Sequence, residues 1–269
     1  MDSEPIDYTE TFLSLRFLTD GFPDDIIYYT NLEGLDCGEN NLNTIGKLPK
    51  SLIKLYCQSN FITRLVNLPP LLNELVCYDN QIRKLNKLPK HLTLLDCSRN
   101  KIKRLNNLPE SLTELYCCHN SITQLDNLPP NLKILWCNWN KITQLDNLPP
   151  GLEVLQCSGN RNLTQLDNLP QTLKTLICER TSITQLDNLP FGLQNLNCSH
   201  TKITQLDNLP PNLVFLACEN TDLTQLNNLP LGLKNLYCNH TKIKNLNKLP
   251  DSVDCLYCMQ HIFEYPFEA

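Results

Sequence analysis

Three kinds of side chain in this sequence could do chemistry, and each recurs at a fixed interval. Cys255-Leu256-Tyr257-Cys258 is a C-x-x-C, the spacing at which two thiolates hold zinc or exchange with a disulfide. Twelve cysteines, Cys37, Cys57, Cys77, Cys97, Cys117, Cys137, Cys157, Cys178, Cys198, Cys218, Cys238 and Cys258, stand 20 residues apart with one step of 21, and Cys118 directly follows one of them. His119, His200 and His240 each fall two residues after such a cysteine, and Asp126, Asp146, Asp167, Asp187 and Asp207 share one position in the interval. Spacing does not assemble these sets into a site. No second C-x-x-C completes a tetrahedral zinc set, no Ser-His-Asp or Cys-His pairing can be placed, and a row of single carboxylates lacks the roughly six to eight oxygens that Ca²⁺ takes. The expectation is a chain with no catalytic residue, no metal and no cofactor, and hence not an enzyme.

The interval itself is the stronger signal. Of 269 residues, 53 are Leu and 33 are Asn, a bias that ordinary globular domains do not show and that marks an internal repeat. Aligned on the cysteines, the frame reads L-P-x-x-L-x-x-L-x-C-x-x-N-x-I-x-x-L-x-N, as in Leu128-Pro129, Leu132, Leu135-Trp136-Cys137, Asn140, Ile142, Leu145 and Asn147. The 21-residue step comes from one extra residue around Asn160-Arg161-Asn162-Leu163. Pro recurs eight residues before nearly every ladder cysteine. It removes an N–H and fixes φ once per repeat, so long helices are excluded and the repeats are expected to be short strands joined by extended connections. The last Leu and the Cys, two residues apart, share the inward face of a strand, and the residue between them faces outward. A single such unit buries too little apolar surface to offset its conformational entropy, so the units must stack on one Leu/Ile/Cys core with their strands parallel. Asn40, Asn60, Asn80, Asn100, Asn120, Asn140 and Asn160 are expected to turn the chain and to bond backbone groups of their own and the next turn. Thr181, Thr201, Thr221 and Thr241 replace them later in the chain.

Charge and hydropathy exclude other classes. The formal net charge is −5, which argues against sequence-independent nucleic-acid binding. Pro, Asn or a charged residue interrupts every apolar run before it could span a membrane. The chain opens Met1-Asp2-Ser3-Glu4-Pro5 with no secretory apolar segment, so the cysteines are expected to be thiols in a reducing, cytoplasmic compartment.

The frame resembles the leucine-rich repeat, and its shortness together with the Leu-Pro opening, as in Asn127-Leu128-Pro129-Pro130-Asn131-Leu132, resembles the bacterial-effector subclass. The Asn-rich composition with a Cys ladder is also similar to leucine-rich-repeat proteins encoded by giant DNA viruses of amoebae; a viral source would place the protein in the host cytoplasm. The resemblance implies a leucine-rich-repeat solenoid, a horseshoe with its parallel β-sheet on the concave face and an extended, turn-rich convex face. It implies binding to a partner protein through that concave face, without naming the partner. On this reading residues 1–27 form an N-terminal cap, 28–262 twelve repeats in one solenoid, and 263–269 a C-terminal cap segment. Phe12, Leu13, Leu15, Phe17 and Leu18 would cover the first repeat, and Ile262, Phe263, Tyr265 and Phe267 the last. Effector ubiquitin ligases of this type carry a catalytic domain after the repeats, and here 11 residues follow Cys258.

Variation between repeats points to where recognition could occur. The connections are nearly copies, with ITQLDNLPP recurring at Ile122–Pro130, Ile142–Pro150 and Ile203–Pro211, whereas the outward strand positions vary freely. Aromatic residues gather at Tyr78, Tyr116, His119, Trp136 and Trp139, the expected partner-binding patch, with a secondary patch at Phe215, Tyr237, His240 and Tyr257. The alternative is that these rings only stack on one another along the ladder. Eight basic residues between Arg83 and Arg104 face a single acid, Asp96, in that span. Together with the repeated Asp row they keep open a second function, a structural or self-associating solenoid that uses its repeated convex face.

Overall fold

The computed structural model describes residues 9–18, 21–244, 246 and 249–258. The expected C-terminal covering residues Ile262, Phe263, Tyr265 and Phe267 lie outside them. The chain divides into two compact units, Met1–Leu132 and Lys133–Ala269. Each is a leucine-rich-repeat solenoid of stacked coils.

The first unit holds β1 (Phe12–Ser14), a short 3₁₀ turn (Asp24–Tyr28), β2 (Gly34–Asp36), β3 (Lys54–Tyr56), β4 (Glu74–Val76), β5 (Leu94–Asp96) and β6 (Glu114–Tyr116). The second holds β7 (Ile134–Trp136), β8 (Val154–Gln156), β9 (Thr175–Ile177), β10 (Asn195–Asn197), β11 (Phe215–Ala217), β12 (Asn235–Tyr237) and β13 (Cys255–Tyr257). Within each unit every strand pairs in parallel with its neighbours in chain order, and from β2 onward each residue meets its counterpart one repeat away, as Leu75 meets Leu95 and Leu196 meets Leu216. The 21-residue step leaves this register intact: Val154 still faces Thr175. The extra residue is taken up in a turn closed by the Leu163 N–H donating to the Asn160 carbonyl at 3.0 Å.

The repeat positions explain the coil. Pro begins a turn closed three residues later by a Leu N–H, as Leu92 donates to the Pro89 carbonyl at 3.2 Å. That Leu, the strand Leu, the Cys, the Ile and the next Leu all point inward. In one coil Leu72, Leu75, Cys77 and Ile82 are wholly buried and Leu85 nearly so. The ladder cysteines from Cys37 to Cys238 are buried thiols packed as small apolar side chains, and burial pushes the Cys157 thiol up to about 12.

Two rows of residues sit at positive φ. The first lies two residues after each Cys and includes His119, Trp139, His200 and His240; the second comprises Asn67, Asn107, Asn127, Asn147, Asn168, Asn188, Asn208 and Asn228, with Lys87 at the same position. Asn enters the left-handed region more readily than other side chains because its short amide bonds locally, which accounts for the Asn of Asn-Leu-Pro.

The buried Asn row bonds in the opposite direction from that expected. The Asn80 Nδ2 donates to its own coil at the Cys77 and Tyr78 carbonyls (3.3 and 3.2 Å) and to the preceding coil at the Cys57 carbonyl (2.9 Å). Its Oδ1 accepts the Ile62 N–H, also of the preceding coil, at 2.9 Å. The chain leaves the strand by a left-handed residue just before this position, whether Asn or Thr fills it, and only the longer amide of Asn reaches the preceding coil. Where Thr takes the position, its hydroxyl donates to the carbonyl of its own coil, as Thr201 does to Cys198 at 2.6 Å.

At the N-terminal end β1 lies parallel to β2, and the Phe12 ring occupies the space a Cβ on Gly34 would fill. Phe17, expected to cover the first repeat, instead stands at positive φ and is 78% exposed. Its neighbour Arg16, also exposed, ties this segment to the next coil, with its guanidinium on Asp36 (2.7 Å) and Glu39 (2.8 Å).

Candidate functional site: the outward face of the sheets

From β2 to β12 each three-residue strand has a buried central Leu, and in β1 and β13 it is half-buried, so the first and third residues stand side by side on the outward face. Register turns these positions into two columns per unit. In the first unit the columns are polar. Tyr56 donates its hydroxyl to Glu74 Oε1 on the next strand at 2.9 Å, and Lys54 Nζ lies 3.2 Å from the other oxygen of Glu74. Burial, then the Glu74 bond, pushes the Tyr56 phenol up to about 12. Tyr116 donates to Glu114 Oε2 of its own strand at 2.7 Å, and burial with that bond raises its phenol in the same way.

Burial pushes the Asp96 carboxyl above its ordinary value, against the bond its Oδ1 accepts from the Ser98 N–H at 2.9 Å. A carboxyl with a raised folded pKa holds its proton more tightly in the native state. It therefore favours the fold in acid, and that advantage is lost as pH rises through the folded pKa. At the corresponding position Asn197 makes the same turn bond without charge, its Oδ1 accepting the Ser199 N–H at 3.0 Å. Asp96→Asn is thus expected to raise the urea midpoint at about pH 7 and to leave it nearly unchanged at about pH 3, where the wild-type carboxyl is also protonated. An equal gain at both pH values would remove charge as the cause.

The second unit is more apolar. Its third-position column reads Trp136, Gln156, Ile177, Asn197, Ala217, Tyr237 and Tyr257, and its first-position column Ile134, Val154, Thr175, Asn195, Phe215, Asn235 and Cys255. Trp136 and Trp139 are 38% and 39% exposed. Trp139 leaves the strand face at positive φ and lays its indole on Gly159, where an added Cβ would come within 2.6 Å of the ring. Gly159 is thus the seat of one tryptophan.

The expected central patch is divided between the units, with Tyr78, Tyr116 and His119 in the first and Trp136 and Trp139 in the second. Tyr78, half-buried, lies within electrostatic reach of Arg16. His119 is exposed, and partial burial and the Arg99 charge push its imidazole down. Of the secondary patch, the rings of Phe215 and Tyr237 stand 5.4 Å apart and tilted, and those of Tyr237 and Tyr257 are stacked at 4.9 Å and 8°. These three form one aromatic ladder; His240 is exposed two residues beyond its cysteine. Cys255 Sγ lies 3.6 Å from the Tyr237 hydroxyl, whereas Cys258 lies beside the buried Cys238 at the end of the inward ladder, so the two thiols of the C-x-x-C sit on opposite faces. Among the described residues no group of three or more His, Cys, Asp or Glu could hold a metal ion. None of the described helices is long and apolar enough to cross a membrane.

Sequence reasoning missed Ile134 and Val154, which stand in the first-position column beside Trp136 and Gln156. The signal was present, because residues two apart on a strand share a face.

Comparison with known proteins supports the same architecture. The family described as Leucine Rich repeats (2 copies) matches residues 110–150. YopM from Yersinia enterocolitica WA-314 superposes with a TM-score of 0.81 at 33% identity over 83% of this chain and 50% of its own. The functional domain of InlJ from Listeria monocytogenes, which includes a cysteine ladder, gives 0.81 at 30% identity over 93% of this chain and 63% of its own. YopM from Yersinia pestis, a leucine-rich effector protein, gives 0.68 at 27% identity over 92% and 82%. The chain therefore spans half of the first relative and under two thirds of the second. No match was found among curated protein sequences.

Proposed function

This chain is a leucine-rich-repeat protein of the short, effector-like kind, and from that premise we propose that it binds a partner protein through the outward face of its strands. The central contact would be Trp136 and Trp139, with Ile134 and Val154 beside them. One observation carries the reading: two large, half-exposed indoles are held by a strand and a glycine seat on the variable face, whereas the inward-facing Leu, Ile and Cys positions recur from coil to coil. Trp presents much area with few torsions to freeze, which makes it the most frequent binding anchor. The reading is of a binding module rather than an enzyme, because the variable residues stand in rows along a face and do not converge on a reacting atom. The fourteen thiols fit a reducing compartment, the host cytoplasm if this chain acts as YopM of Yersinia pestis does, as an effector.

The test is capture of interacting proteins by immobilised wild type and by the Trp136→Ala, Trp139→Ala double variant. Phe191→Ala with Leu231→Ala serves as control, since these side chains are 69% and 88% exposed on the turns after proline. The tryptophan variant is expected to lose the captured protein by about tenfold or more, and the control to retain it. Equal capture by a folded tryptophan variant would remove the sheet face from consideration.

A further inference from the structure

We infer that the connections of two adjacent coils in the first unit form a binding groove for a small, soluble ligand carrying several phosphate groups. The groove encloses about 1140 Å³ and is lined by Arg83, Lys84, Lys87, Lys101, Lys103 and Arg104, with no acid among its lining residues. It lies between strands rather than on the sheet, so it is separate from the face proposed to bind protein.

Comparison of the coils within this chain shows that these charges are not required by the fold. At the corresponding positions the common connection is Ile122-Thr123-Gln124-Leu125-Asp126-Asn127, repeated almost unchanged in later coils. Here Thr gives way to Arg83 and Lys103, Gln to Lys84 and Arg104, and Asn to Lys87. The Asp is replaced by Asn86 and Asn106. All seven departures move the charge in the positive direction, within a chain whose net charge is −5. One of them is locally unfavourable: Lys87 holds φ at 53°, where most other coils place the better-suited Asn. Among the described residues none of the six cations has a carboxylate partner in an ion pair; the Lys101 ammonium donates to the Gln81 amide oxygen at 3.1 Å.

The chemistry favours phosphate over carboxylate. Two guanidinium forks match oxyanion geometry in pairs, and four ammonium groups act as point charges. Six cations from two adjacent coils line this one groove, whereas the same-face carboxylates of an extended peptide recur only every ~6.8 Å along its length. A chain of phosphates reaches that density.

The test is calorimetric titration with sodium tripolyphosphate, with citrate as the carboxylate comparison. Wild type is compared with a variant restored to the common connection: Arg83→Thr, Lys84→Gln, Lys87→Asn, Lys103→Thr and Arg104→Gln. Because every substitution installs a residue that other coils carry, the variant is expected to fold, as circular dichroism and urea unfolding would show. Tripolyphosphate is expected to bind wild type more tightly than citrate does, with affinity falling steeply as salt rises, and to lose about 30-fold or more in the variant. Equal binding to both proteins, or none to wild type at low salt, would overturn the assignment. So would salt-sensitive self-association of wild type without tripolyphosphate binding, which would give the groove to the Asp row of a second copy. Sedimentation with phosphoinositide vesicles in the absence of tripolyphosphate binding would overturn the soluble ligand in favour of a lipid headgroup.

Discussion

Asn100→Ala is expected to lower the unfolding free energy by about 3 kcal/mol, an unusually large loss for one polar side chain. The Asn100 Nδ2 serves the Cys77, Cys97 and Ser98 carbonyls at 2.9, 3.1 and 3.0 Å, and its Oδ1 accepts the Ile82 N–H at 2.8 Å. Ile82 is wholly buried, so truncation strands its N–H where water does not reach, while the Cys77 carbonyl keeps only the longer bond from the Asn80 amide at 3.3 Å. Each stranded group costs about 1–3 kcal/mol, more than the net gain from making an ordinary hydrogen bond. Thr201→Ala provides the contrast. It removes one bond, from the Thr201 hydroxyl to the Cys198 carbonyl within the same coil, and should cost about 1 kcal/mol. Urea unfolding of both variants measures the difference; similar losses would mean that the bonds between coils add nothing beyond those within one.

Leu155→Ala should cost about as much or more, in the range of ~2–5 kcal/mol. Leu155 is wholly buried and lies in register between Leu135 and Leu176. The strands on either side are held by backbone ladders, so the neighbouring leucines cannot move in to fill the gap and most of the cavity persists. Val154→Ala removes apolar carbon from the half-buried outward face of the same strand and should cost less than about 1 kcal/mol. A Leu155 variant no less stable than the Val154 variant would mean that the coil relaxes around the cavity.

The period of 20 residues in the sequence was enough to read which side chains face inward, because Leu, Ile and Cys recur at positions that only a stacked coil can bury together. Pro at a constant distance from Cys gave the turn that begins each strand. Other features depend on neighbours rather than on local pattern. The direction of the Asn bonds depends on where the preceding coil presents its backbone groups, and the left-handed residues before each Asn are Glu, Ser, Asp, Arg, His, Trp and Gly, too varied a set to mark positive φ in a sequence. Tyr56 and Tyr116 occupy equivalent positions, yet one hydroxyl crosses to the next strand and the other bonds its own. Both rings face an aspartate on the preceding strand, Asp36 and Asp96, but Tyr56 shares its own strand with Lys54 and Tyr116 with Glu114, so the nearest carboxylate differs. Phe17 looked like a covering residue by composition alone, while at that end the tie to the next coil is the ion pair of Arg16 with Asp36.

The constant register also bears on how such a gene can change. Within each unit the strands bond their neighbours in one constant register from β2 onward, and the one insertion, at the turn before Leu163, left the strands aligned. A copying slip that adds or drops a whole unit of roughly sixty bases would therefore yield a protein that still folds, because each coil contacts only its neighbours. A slip of any other length within a strand would turn its leucines toward water. Replication errors in this gene are thus filtered by length, and the number of coils can drift between generations while the rule that builds each coil stays the same.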